Sequence, residues 1–152
     1  MVDTTESDRR TVLATAAGLA AASLAGCSAS NREESDRSTD FDGWFEDVSN
    51  YDGVADRTGQ TKVEVTVGAK GNGGNMAFAP AGLRVSPGTT VVWTWTGAGN
   101  MHNVVADNGA FESEMRSAEG VTFEHTFQRT GTFEYYCAPH ESAGMKGAVV
   151  VE

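Results

Sequence analysis

The sequence has few basic residues: 11 lysines and arginines stand against 21 acidic residues, which gives a formal net charge of −10. Proteins that bind nucleic acid neutralise its phosphates with lysine and arginine, so this balance argues against nucleic acid as a partner. Most of the negative charge lies towards the N-terminus, because residues 28–56 carry a net charge of −7 and residues 59–152 only −3. At 152 residues the chain is long enough for one domain with a sizeable core.

The sequence also lacks an apolar run of about 20 residues, the length that a membrane-spanning helix needs. The apolar run Thr11–Gly26 has 16 residues, is rich in alanine and follows Arg9 and Arg10. A charged start, a weakly apolar middle and small residues before a cleavage site are typical of an export signal. The paired arginines resemble a twin-arginine signal, and "LAGC" at Leu24–Cys27 resembles a lipobox, in which the cysteine carries the lipid.

We therefore expect residues 1–26 to be a lipoprotein signal peptide of the twin-arginine type. A double-chain lipid on Cys27 would hold the protein at the extracytoplasmic face of the cell membrane, because two acyl chains anchor stably. The alternative is a short membrane helix that is retained, with its arginines in the cytoplasm. Residues 27–40 are polar, charged and free of aromatic side chains, so they are predicted to be a flexible acidic tether.

The rest of the chain, residues 41–152, shows no internal repeat, no glycine-rich phosphate loop and no convincing amphipathic helix in its last ninety positions. Short β-branched and aromatic segments alternate with turn residues, which predicts an all-β domain arranged as a two-sheet sandwich or a small barrel. The aromatic residues at the start of this region predict that residues 41–59 pack on the domain as a short helical or looped lead-in. The predicted strands are "TKVEVTVGA", "GLRVS", "TTVVWTWTG", "HNVVA", "VTFEHTF", "GTFEYYC" and "KGAVVVE".

Cysteine and histidine are rare, with two and three residues. A single disulfide between Cys27 and Cys137 is possible, but each cysteine lies in a sequence context of its own. Cys137, His140 and Met145 occur within nine residues, between two predicted strands. Methionine is a soft, neutral ligand, and two imidazoles, one thiolate and a weak axial thioether form a blue-copper electron-transfer site. The short loop therefore predicts three ligands of one copper ion. A site of this kind also needs a second histidine from elsewhere in the chain.

Two histidines are candidates for this remaining ligand. His102 begins the apolar segment "HNVVA" just after a loop, and strand ends meet at one pole of a sandwich, so it can reach a loop 35 positions further along. His125 alternates with apolar residues inside "VTFEHTF", which is typical of a histidine packed within a strand. The pattern favours His102. Met76 and Met115 have no ligand context and are predicted to pack in the domain.

A family resemblance rests on these segments. "CAPHESAGMKG" has the ligand-loop form C-x-P-H-x-x-x-G-M-x-G of plastocyanin-like cupredoxins, "HNVV" matches their upstream ligand segment, and "FAPAGLRVSPGTTVVWTW" is similar to the strands before it. The lead-in, the acidity and the lipobox resemble those of halocyanins, the small blue copper proteins of haloarchaea. The resemblance implies a cupredoxin-like Greek-key two-sheet β-sandwich over residues 41–152. It implies one copper ion cycling between Cu(I) and Cu(II), with the ligands His102, Cys137, His140 and Met145.

The resemblance also assigns roles to residues beside the ligands. The backbone N–H of Asn103 is expected to donate a hydrogen bond to the Cys137 sulfur, whereas Pro139 has no N–H and cannot donate a second one. Fewer donors stabilise the thiolate less, which favours Cu(I) and raises the reduction potential. Family members often carry a hydroxyl residue next to the cysteine as the partner of the asparagine side chain, and this chain departs from that pattern with Ala138, which has no hydroxyl.

In the family, the histidine of the C-x-x-H pair reaches the surface and passes the electron, which implies that His140 is the electron port. Pro139, Ala143 and Met101, which stands where plastocyanins commonly have proline, would form a small apolar rim suited to brief encounters with a redox partner. Tyr136 offers a second route to the flank, with ordinary strand packing as the alternative. We further expect a monomer whose partners are redox proteins of a membrane electron-transport chain.

Three other functions fit parts of the pattern. A copper chaperone or storage protein would need easily exchanged ligands, often several methionines. A copper enzyme would need a second metal site with an open position, for which further histidines are missing. A structural zinc module would not need Met145. The sequence therefore favours an electron carrier that is not an enzyme, and a copper-handling protein is the alternative.

Overall fold

The computed structural model describes residues 41–152, which form nine strands and a 3₁₀ helix. The predicted signal peptide, the acidic tether and Cys27 lie outside the described residues. The strands are β1 (Val54–Asp56), β2 (Lys62–Gly71), β3 (Gly74–Ala79), β4 (Gly82–Val85), β5 (Thr89–Trp95), β6 (Val105–Ala106), β7 (Thr122–Phe127), β8 (Gly131–Tyr136) and β9 (Lys146–Val151), and the 3₁₀ helix is Ala138–Ala143.

Two sheets face each other across the core. The five-stranded sheet has the order β1-β4-β9-β8-β6 and the four-stranded sheet the order β3-β2-β5-β7. β2 pairs in parallel with β5, and β4 in parallel with β9, whereas β8 and β9 are antiparallel. Because parallel neighbours need crossover connections, the chain passes repeatedly from one sheet to the other. The predicted all-β, two-sheet Greek-key sandwich is therefore confirmed.

The core follows from period-two alternation in the inner strands. In β5, Val91, Trp93 and Trp95 point inward and are almost fully buried, while the residues between them are half-buried. The ring of Trp93 meets that of Tyr135 edge to face at 5.4 Å, which joins the two sheets. Burial of each such side chain contributes roughly 1.5–3 kcal/mol to the free energy of folding. The buried aromatic layer between the sheets therefore stabilises their stacking.

Strand β9 is buried on both faces, which explains its unbroken apolar sequence. Val149 and Val151 belong to the core between the sheets. Ala148 and Val150 face the opposite way, into a second apolar cluster built with aromatic residues of the lead-in segment, which we define as residues 41–53. The predicted packing of these aromatics on the domain is therefore correct, although the segment consists of turns rather than a helix.

The structure differs from the sequence prediction at three strands. β1 and β3 were not predicted, because β1 has only three residues and β3 begins at glycine and asparagine, which favour turns. "HNVVA" forms a strand only at its end, as β6, while His102 forms an isolated bridge with Arg116. Within residues 41–152, no helix is long and apolar enough to cross a membrane.

Candidate metal centre

Three potential metal-binding atoms converge at one end of the sandwich. The Nδ1 atoms of His102 and His140 lie 3.1 Å apart, and the Cys137 Sγ lies 3.7 Å from the first and 3.4 Å from the second. The circle through three atoms at these separations has a radius of about 2.0 Å, close to the length of a bond from a first-row metal to imidazole. A single ion can therefore contact all three atoms, and the donor set fits copper.

His102 is held by contacts on both its backbone and its ring. Its N–H donates to the Arg116 carbonyl at 2.8 Å, and its own carbonyl accepts from Arg116 at 2.9 Å and from the Trp95 indole at 3.2 Å. The ring Nε2 lies 2.9 Å from the Ala98 carbonyl oxygen. Because a carbonyl only accepts, Nε2 carries the hydrogen and Nδ1 keeps a free lone pair. Burial lowers the pKa of His102, so the ring is neutral and ready to bind a cation.

Gly99 makes room for this histidine. Its φ of +84° lies in the left-handed region, and a Cβ there would collide with the Asn75 carbonyl and come within 2.8 Å of the His102 Nε2. Only glycine allows the loop before His102 to pass so close to the β3 strand. From the sequence, no role was predicted for Gly99 or for Trp95 beyond its place in the strand "TTVVWTWTG"; the only signal for Gly99 was the glycine-containing loop "TGAGN" (residues 96–100) before His102.

Cys137 follows β8 directly and is completely buried, with its thiol free of any disulfide. Its N–H donates to the Met145 carbonyl at 3.0 Å, which closes the ends of the ligand loop. Burial raises the pKa of the thiol, and hydrogen bonds from the backbone N–H groups of Asn103 and His140 lower it to a smaller extent. Metal binding must therefore remove a proton from Cys137.

The side chain of Asn103 connects the two ligand-bearing segments. Its Oδ1 accepts a hydrogen bond from the backbone N–H of Ala138 at 2.8 Å, and the residue is 6% exposed. Ala138 has no hydroxyl, as the sequence showed, and its backbone N–H partners the Asn103 side chain instead. The predicted donation from Asn103 to the thiol agrees with its effect on the Cys137 pKa. Pro139 has no N–H to donate, and the second backbone donor to the Cys137 sulfur is the N–H of His140.

His140 lies in the 3₁₀ helix and is only half-buried, unlike His102. Pro139 opens this helix, and the backbone N–H of His140 bonds to the Cys137 carbonyl at 3.1 Å. The sequence predicted that exposed apolar residues form a rim around His140. Pro139 and Ala143 are exposed, and Met101 is 49% exposed, which makes it a large apolar side chain left in solvent.

Met145 is completely buried and tied to the other two ligands of its loop by backbone hydrogen bonds. Its N–H donates to the His140 carbonyl at 3.1 Å, and its carbonyl accepts from Cys137. The other methionines differ from it and from each other. Met76 packs against the core, as predicted, whereas Met115 is 38% exposed, so the prediction that it packs was wrong.

The third histidine does not join the cluster. His125 lies in β7, where its ring contacts those of Phe111 and Phe127, each at 4.8 Å between centroids. Burial lowers its pKa. The choice of His102 over His125 as the partner of Cys137 and His140 therefore agrees with the geometry.

Comparison with known proteins gives the class of protein to which this fold and donor set belong. The chain belongs to the plastocyanin/azurin family of copper-binding proteins, whose profile matches residues 63–152. Such blue copper proteins bind one copper ion and act in electron transfer. The predicted copper cofactor is confirmed.

Among individual relatives, the chain is 45% identical over 161 aligned positions to halocyanin of Natronomonas pharaonis, with 96% of this chain and 98% of that protein covered. It is 39% identical over 101 positions to the chloroplast plastocyanin of Fritillaria agrestis, covering 59% of each protein. A solved mutant plastocyanin of a fern matches with a TM-score of 0.50 and 30% identity, over 59% of this chain and 99% of that one. The predicted resemblance to halocyanins is confirmed.

Proposed function

We propose that this protein is a membrane-tethered carrier of single electrons, in which His102, Cys137 and His140 would hold copper and Met145 would bind it more weakly. The observation that carries the proposal is the convergence of two imidazole nitrogens and one thiol sulfur on a point about 2.0 Å from each. Copper bound there would supply one-electron chemistry between Cu(I) and Cu(II).

The residues of the chain provide a site that changes little when an electron arrives. His102, Cys137 and Met145 are at most 1% exposed, so water is kept from most of the site. The Ala98 carbonyl fixes the His102 ring, and the Asn103 side chain fixes the spacing between the two ligand-bearing segments. A geometry set by the protein rather than by the metal keeps the reorganisation on electron transfer small.

His140 is the proposed electron port. It is the half-buried member of the cluster. The exposed Pro139 and Ala143 lie in the same 3₁₀ helix, and the exposed Met101 precedes His102, whose Nδ1 lies 3.1 Å from that of His140. A small apolar patch of this kind suits brief encounters with redox proteins of a membrane electron-transport chain, because such complexes bury little area. In this proposal the side chains only hold the copper in position and pass electrons, which is the role of a carrier rather than of an enzyme.

The tether belongs to the same proposal. The sequence of residues 1–26 supports export as a lipoprotein, Cys27 is the proposed lipid-bearing residue, and residues 27–40 would link it to the domain at the extracytoplasmic face. Membrane fractionation tests this part: wild type should sediment with membranes and Cys27→Ser should be released. A Cys27→Ser protein that stays with membranes would indicate a retained helix.

A reductive titration, followed optically and with metal analysis, tests the copper site. The purified protein with Cu(II) should be intensely blue, contain one copper per chain and bleach reversibly as one electron is added. A protein that binds copper without colour would contradict electron transfer through Cys137 and favour the copper-handling alternative. A colourless protein with zinc in place of copper would contradict both.

A further inference from the structure

The lead-in segment packs against the end of the ligand loop as well as against the sheet. The Trp44 indole N–H donates to the Gly147 carbonyl at 3.0 Å, two residues beyond Met145. The ammonium group of Lys146 lies 5.1 Å from the centre of the Trp44 ring, a cation–π contact. The residues that directly follow Met145 are therefore held from outside the metal centre.

The backbone immediately before Met145 is enclosed on two sides. Gly144 has a φ of +103°, and a Cβ there would collide with the backbone carbonyl of Asp47 and lie 2.8 Å from the Asn72 Oδ1. Glycine is needed because the lead-in segment and the β2–β3 turn both approach it. Gly144 also ends the 3₁₀ helix, donating its N–H to the Glu141 carbonyl at 3.0 Å.

Asn72 joins the lead-in segment to the β2–β3 hairpin. Its Oδ1 accepts from the Ser49 N–H at 2.8 Å, and its own N–H donates to the Ser49 hydroxyl at 2.6 Å. Its Nδ2 donates to the Met76 carbonyl at 2.7 Å. With three hydrogen bonds and a φ of +57°, Asn72 is an anchored residue rather than a mobile turn tip.

Aromatic packing holds the lead-in segment in this position. The rings of Phe45 and Tyr51 stack at 3.9 Å, and Phe41 meets Phe45 edge to face at 4.9 Å. The segment precedes the part matched by the plastocyanin/azurin profile, which begins at residue 63, whereas the alignment with halocyanin covers 96% of the chain. The lead-in segment therefore lies outside the part of the chain that matches the family profile, whereas the alignment with halocyanin extends over nearly the whole chain.

We infer that the lead-in segment and Asn72 form a brace that positions Met145 and thereby sets the reduction potential of the copper site. Met145 lies between two braced points, Gly144 on one side and the Lys146–Gly147 backbone on the other. A thioether that binds copper only weakly is not held in place by the metal, so the position of the Met145 sulfur depends on the backbone that carries it. The inference rests on the proposed ligation by Met145.

The test uses Asn72→Gly, which removes the carboxamide but keeps the freedom for a positive φ, and Trp44→Phe, which keeps a ring but removes the indole donor. Asn72→Asp keeps an oxygen acceptor for Ser49 but loses the Nδ2 donor to the Met76 carbonyl, so it should fall between wild type and Asn72→Gly. Asn108→Gly is the matched control, because Asn108 is also a loop asparagine whose Oδ1 accepts a backbone N–H, that of Ala110 at 3.0 Å.

We expect Asn72→Gly and Trp44→Phe to bind one copper per chain but to shift the Cu(I)/Cu(II) ratio at a fixed potential about threefold towards Cu(I), a rise of about 30 mV. Loss of axial contact should move the ratio in this direction. Asn108→Gly should leave the ratio unchanged. If Asn72→Gly and Trp44→Phe both keep the wild-type potential and visible spectrum, the brace does not position Met145.

Hydrogen exchange in the copper-free protein provides a second readout that is independent of copper. The amide of Met145, bonded to the His140 carbonyl, should exchange about tenfold faster in Asn72→Gly than in wild type. An unchanged rate would overturn the brace even if the copper site behaves as proposed. Conversely, a wild-type protein without blue copper would contradict the proposed function, while the exchange rates would still decide whether the brace exists.

Discussion

The two regions of the domain that carry the proposed copper ligands are built by different means. The downstream loop, residues 137–145, closes on itself, since Cys137, His140 and Met145 are linked by hydrogen bonds within the loop. The proposed upstream ligand, His102, is placed by backbone hydrogen bonds with Arg116, which belongs to a separate segment, and by the indole of Trp95 at the end of β5. The downstream spacing is therefore local and visible in the sequence. The upstream position is a property of the assembled sandwich.

Substitution of Cys137 should have the largest effect, because both regions meet at its sulfur. Cys137→Ser should abolish the blue absorption band, since a serine hydroxyl is not deprotonated by copper in the way a thiol is. The fold should survive, with a loss of roughly 1–3 kcal/mol for a buried hydroxyl. Visible absorption and circular dichroism measure the two effects. Cys27→Ser is the control and should stay blue; a blue Cys137→Ser protein would remove this residue from the site.

Gly99→Ala should damage the upstream region alone. An alanine at φ +84° costs about 1–2 kcal/mol by itself, and its Cβ would also collide with the Asn75 carbonyl and press on the His102 ring. We expect a loss of about 3 kcal/mol or more in urea unfolding, together with weaker copper binding. Gly109→Ala is the matched control, because Gly109 has a φ of +79° and open space around its Cβ position. Equal losses in the two variants would contradict a specific role for Gly99.

The contrast also explains what the sequence could predict. The spacing of Cys137, His140 and Met145 is short enough to be recognised as a ligand loop before any fold is known, and the alternation in β2 and β5 is plain. The backbone bonds between His102 and Arg116, and the close approach of Gly99 to the Asn75 carbonyl, link residues that only the packed sandwich brings together. The Asn103 brace could not be predicted for a related reason, because a backbone N–H leaves no trace in the residue type at position 138.

Met145→Leu should change the downstream region without dismantling it. Leucine has nearly the volume of methionine, so stability should fall by less than about 1.5 kcal/mol. Copper should remain bound by the other three ligands, and the reduction potential should rise because the axial thioether is lost. Voltammetry with metal analysis measures both. A potential equal to that of wild type would mean that the Met145 sulfur is not an axial ligand.

The smallest expected effect is on the pH dependence of stability, and it comes from His125, the histidine that, unlike His102, lies outside the metal centre. Burial lowers the pKa of His125 in the folded protein, so the unfolded chain binds more protons as the pH falls. Its contribution to stability is therefore fully present above the ordinary histidine pKa of about 6.5 and declines below it. The copper-free His125→Gln variant should lose less stability than wild type between pH 7 and pH 5.5, and should still become blue with Cu(II). Urea unfolding at the two pH values decides the first point: identical pH dependence would show that His125 titrates alike in both states.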